Sequence, residues 1–215
     1  MIAAGRACAA LAMLAATTAL AGEGEGGGAT PPSAESAWAF ALTAYPTAVR
    51  GGDNYTSAIA TADRGSLHVE ARYDYESIGA RSAFVGWTFS SGDELKWELT
   101  PLLGGAWGTI RAFVPGLEAS LAWKQLDVYV EAEYVRDSNE RSDSYTYAWS
   151  ELGFRPAEWL RIGLAGQRTR SYANDRDYQR GPFAQVTFGA VTIGGYWFNP
   201  GSSEQIFVGT IGVAF

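Results

Sequence analysis

Apolar and polar residues alternate with a period of two through most of this chain. After residue 21 no stretch reaches the roughly 18 consecutive apolar residues that a membrane-crossing helix needs. Leu67, Val69, Ala71, Tyr73 and Tyr75 interleave with His68, Glu70, Arg72 and Asp74. Leu95, Trp97 and Leu99 interleave with Lys96, Glu98 and Thr100. Leu117, Ala119, Leu121 and Trp123 interleave with Glu118, Ser120 and Lys124, and Leu126, Val128, Val130 and Ala132 with Asp127, Tyr129, Glu131 and Glu133. Successive side chains of a strand point to opposite faces, so each segment has one apolar and one polar face. That pattern predicts an all-β, antiparallel chain.

Weaker copies of the pattern bring the expected number of strands to twelve, near 36–45, 54–62, 65–76, 79–90, 93–103, 116–124, 126–136, 144–154, 158–170, 180–189, 190–199 and 204–215. Alternation is poorest at 54–62 and 144–154, so a count of ten stays open. Lengths of about ten residues suit tilted strands that cross hydrocarbon. Links after even strands are short, as at Lys124-Gln125 and Gly189-Ala190. Links after odd strands are mostly longer, as at 46–53, 104–115 and 137–143, and Ser77-Ile78-Gly79 breaks the rule. Short turns at one end and long loops at the other predict a transmembrane up-and-down barrel with both termini on the short-turn side.

The N-terminal residues follow another rule. Arg6 precedes an Ala/Leu/Met run that closes on Ala19-Leu20-Ala21, the form of an export signal over 1–21. Residues 22–35, rich in Gly and Glu, read as a flexible periplasmic leader, which leaves 36–215 for the barrel. The one cysteine, Cys8, lies within the signal, so neither disulfides nor thiol chemistry is expected of the remainder. A formal net charge of -7 argues against nucleic acid as a partner.

The final strand carries Phe207, Gly209, Ile211, Val213 and Phe215 on one face. It resembles the C-terminal signature of bacterial outer-membrane β-barrels, and Trp149-Ser150-Glu151-Leu152 and Gln167-Arg168-Thr169-Arg170 are similar to segments of uncharacterised members of that class. The resemblance implies export to the outer membrane and reading of Phe215 by the barrel-insertion machinery. Tyr45, Tyr75, Trp87, Tyr134, Tyr172 and Trp197 are expected in an interfacial aromatic girdle. A soluble sandwich or lipocalin-like barrel is the competing architecture.

With apolar faces turned to lipid, the lumen should be lined by Glu70, Arg72, Asp74, Lys96, Glu98, Glu118, Lys124, Asp127, Glu131, Glu133, Glu151 and Arg161. Such an acidic wall predicts a narrow, cation-preferring diffusion pore. A closed barrel that presents its loops is the alternative. A hydrolase built on His68, the one histidine, is a third, but no catalytic, metal or cofactor residue can be named from spacing alone. The partners expected are outer-membrane lipid and lipopolysaccharide, with Arg168 and Arg170 facing outward near phosphate height.

Overall fold

The computed structural model describes residues 37–171 and 176–215. The expectations for 1–21, 22–35 and Tyr172 lie outside these residues. Strands run in chain order: β1 (Ala39–Val49), β2 (Tyr55–Arg64), β3 (Leu67–Tyr73), β4 (Arg81–Trp87), β5 (Phe89–Ser91), β6 (Leu95–Trp107), β7 (Ala112–Trp123), β8 (Leu126–Asp137), β9 (Tyr145–Ala157), β10 (Leu160–Ser171), β11 (Arg176–Phe188), β12 (Val191–Phe198) and β13 (Ile206–Ala214). Each pairs antiparallel with its neighbours, β13 returns to β1, and β4 and β5 both pair with β6. Because β4 and β5 are two parts of one stave, the barrel has twelve staves, and it closes without a free edge.

The faces invert the rule for soluble proteins. Leu164 is 61% exposed and Ile211 54%, while Glu131 and Trp149 are wholly buried. A soluble sandwich would bury its apolar faces against each other. Here most of the large apolar side chains of the staves point outward, as a belt against lipid requires. Trp87, Tyr134 and Trp197 stand on that belt as expected. Tyr45 and Tyr75 do not. Tyr45 sits inside β1, which continues to Val49, and shares the inward face with Thr43 and Thr47. Asp74 takes a left-handed φ of 53°, which breaks the alternation and turns Tyr75 into the barrel.

Five staves run through a proline, and two of these prolines account for the misjudged boundaries at Pro46 and Pro115. A proline lacks the N–H that a ladder rung needs. The β1–β13 ladder skips the rungs at Tyr45 and Pro46 and then resumes in the same register. The β7–β8 ladder skips Val114 and Pro115 in the same way, and the β11–β12 ladder stops at Phe183, next to Pro182. Pro101 lies opposite Trp87, at the break between β4 and β5. The Thr88 N–H instead reaches the Ser66 carbonyl at 2.8 Å.

β1, β6 and β7 extend further toward the long-loop end than the sequence suggests. The link expected over 104–115 shrinks to 108–111. The link after β3 lengthens to 74–80, which restores the short-long rule that Ser77-Ile78-Gly79 seemed to break. Two close approaches require glycine. At Gly92, φ is +110° and a Cβ would stand 1.8 Å from the Leu95 carbonyl oxygen. At Gly181, beside Pro182, a Cβ would stand 1.7 Å from the Trp197 carbonyl oxygen.

Candidate functional site: the barrel lumen

Among the described residues, the buried charged groups of the interior are seven carboxylates, two arginines and one histidine. They gather in two clusters. In the first, β3 directs Glu70 and Arg72 inward on alternate positions, and β8 directs Glu131 and Glu133 toward them. The Arg72 guanidinium binds Glu70 through Nε and reaches Glu133 at 2.7 Å and Glu131 at 3.2 Å through Nη1. Since β4, β6 and β7 lie between β3 and β8, these contacts cross a chord of the bore. The Tyr75 hydroxyl donates to Glu131 at 2.8 Å, and the rings of Tyr75 and Phe84 each lie 4.3 Å from the guanidinium carbon.

Glu76 joins the cluster from the 74–80 link. It accepts a hydrogen bond from Ser82 at 2.5 Å and lies 3.7 Å from Arg72. Burial pushes its carboxyl above the usual carboxylate range, opposed by Arg72 and Ser82. His68 completes the near side, with Nδ1 2.6 Å from Asp63 and Nε2 3.6 Å from Glu70. A serine-hydrolase geometry needs a hydroxyl at the nitrogen that faces a carboxylate here.

The second cluster is centred on Arg161 of β10. It pairs with Glu151 and Asp127, each at 2.5 Å, and hydrogen-bonds Gln185 at 3.1 Å. Glu151 also accepts from Trp149 at 3.0 Å and from Tyr196 at 2.6 Å. Trp149 meets Tyr196 and Phe198 edge-on, at centroid distances of 5.2 and 5.3 Å. Together the two clusters narrow the lumen with side chains from the staves and from the 74–80 link.

Of the residues expected to line the lumen, Glu70, Arg72, Asp74, Glu118, Glu131, Glu133, Glu151 and Arg161 are inward and buried, and Asp127 is inward and half-buried. Lys96 and Glu98 share the inward face of Thr100 but lie exposed at the short-turn mouth. Lys124 requires correction. β7 ends at Trp123, and Lys124 enters the turn with φ 54°, reaching Glu94 at 3.6 Å and covering the Trp123 ring at 4.7 Å. Alternation had been carried one residue past the end of the strand. Arg168 and Arg170 face outward, with Ile162 and Leu164.

Sequence reasoning missed Glu76, Trp149, Tyr196 and Gln185. On β9 the usual polarity is reversed, with Tyr147 and Trp149 inward and Thr146 and Ser150 outward. Polarity alone could not assign that strand's faces. The Glu151 carboxylate two positions beyond Trp149, on the same face, was the available signal.

No protein-family model matches the sequence, and no curated protein does. In fold, the chain is similar to a KdgM porin in complex with disordered oligogalacturonate, with a TM-score of 0.62, 7% identity, and 81% of this chain and 99% of that one covered. It is likewise similar to a second KdgM porin structure, with a TM-score of 0.58, 9% identity, and 81% and 98% covered. The shared architecture is the antiparallel β-barrel of these porin structures.

Proposed function

We propose that the chain is a narrow outer-membrane diffusion channel that favours cations over anions. The observation that carries this reading is the excess of inward carboxylates over arginines among the described residues. Several interior oxygens, Glu118 Oε1, Ser57 Oγ and Thr210 Oγ1 among them, have no hydrogen-bond partner in the protein. Polar groups so placed call for water, and a wetted acidic wall lowers the barrier to cations and raises it to anions. The KdgM porin structure holds an oligogalacturonate, which is a polyanion. This interior would repel such a ligand, so the shared architecture serves a different class of solute here.

The bore is narrow because Arg72 and Tyr75 cross it to β8. Passage runs between ion pairs, and small conductance follows. Single-channel recording of the refolded chain across a salt gradient tests the reading. The expected result is a small, steady current whose reversal potential has the sign of cation preference. Anion preference would overturn the electrostatic reading. A folded barrel that passes no current would favour the second reading, a closed barrel, for which the complete burial of Tyr75, Trp149 and Phe198 is the supporting observation.

A further inference from the structure

Charge is sorted by face as well as by amount. The acids concentrate in the lumen, while Arg81, Arg111, Arg136, Arg168, Arg170 and Arg180 are exposed on the outward parity of their staves, near or just beyond the long-loop ends. Among the described residues, no carboxylate lies within 4 Å of any of the six. Arg168 and Arg170 of β10 line one edge of a groove of about 510 Å³ on the outer wall, whose lining also includes Pro115, Ala132, Tyr134 and Ala148. A guanidinium on the lipid face is costly at the bilayer midplane and tolerable only at the interface, where phosphate can meet it.

We propose that this outward arginine collar, centred on the groove that Arg168 and Arg170 border, binds the phosphate groups of lipopolysaccharide in the outer leaflet, with an acyl chain lying in the groove. The argument has three parts. First, the collar lies at the end with the longer links, which faces the outside in barrels of this type. Second, paired guanidinium forks on one stave suit phosphate better than an isolated ammonium does. Third, the small side chains of Ala132 and Ala148 leave room beside Tyr134, so an apolar chain can lie against β8 and β9 beside Arg168, the cross-strand partner of Ala148. The proposal concerns the outer wall and stands whether or not the lumen conducts.

The test is a titration of the refolded chain in detergent with purified lipopolysaccharide, with bound lipid counted by native mass spectrometry. Dephosphorylated lipopolysaccharide and phosphatidylglycerol serve as competing probes. Replacing both residues (Arg168→Ala with Arg170→Ala) should weaken binding about tenfold or more, the effect of losing charge-assisted hydrogen bonds. The Arg168→Lys, Arg170→Lys pair should fall between, and it supplies the folded variant if the alanine pair does not fold. Arg64→Ala, at the opposite end beside Trp38, should change nothing. Equal binding of the dephosphorylated lipid, equal competition by phosphatidylglycerol, or unchanged binding by the folded arginine variants would each overturn the proposal.

Discussion

Trp149 shows how one side chain can set the width of a barrel. It is wholly buried on β9 and meets Tyr196 and Phe198 of β12 edge-on, with β10 and β11 between the two staves. Its indole N–H anchors it to Glu151, which Arg161 and Tyr196 hold in turn. Truncation to Ala should open the lumen and raise single-channel conductance, and Trp149→Phe, which keeps a ring there, should change it little. Removing so large a buried ring costs stability, about 3–5 kcal/mol. The urea midpoint in vesicles should therefore fall as the current rises. A fall in stability with no gain in current would mean that the constriction lies instead at Arg72 and Tyr75.

Among the elements, the stave formed by β4 and β5 is informative because it is broken. The Thr88 N–H points to Ser66, just ahead of β3, so by alternation Trp87 faces β6, where Pro101 stands opposite with no N–H to give. Pro101 is exposed on the outer face, and another side chain there meets lipid. Pro101→Val should supply the missing rung, join β4 to β5 and stabilise the barrel by about 1 kcal/mol. A higher urea midpoint with new hydrogen-exchange protection at residue 101 would confirm it, and a lower midpoint would show that the proline's bend is needed for closure. The same residues explain what could be read in advance. Staves such as β8, with Leu126, Val128 and Val130 outward against Asp127 and Glu131, were legible because polarity and direction coincide. Boundaries at Pro46 and Pro115 were not, because a proline that ends an ordinary strand here interrupts one ladder for two residues while the other ladder holds the strand. The inward aromatics of β9 and β12 were hidden for a related reason. An enclosed lumen accepts apolar rings as readily as carboxylates, so facing no longer follows hydropathy.

At the scale of the whole molecule, closure depends on the seam between β1 and β13, where the first stave meets the last. At its short-turn end, Phe40 N–H donates to the Phe215 carbonyl at 2.8 Å, and Phe215 N–H donates to the Phe40 carbonyl at 2.9 Å. The Phe215 ring stacks on Phe40 at 5.8 Å but is 73% exposed. The backbone of Phe215 thus closes the seam, while its ring buries little. Phe215→Ala keeps both backbone bonds, so refolding into detergent and the urea midpoint should change little. If the exposed ring is what the insertion machinery reads, the same variant should reach the outer membrane of cells in much smaller amounts. Fractionation of cells beside refolding of the purified chain separates the two roles. Loss in both settings would make the ring a structural part of the seam, and loss in neither would remove Phe215 as a recognition signal.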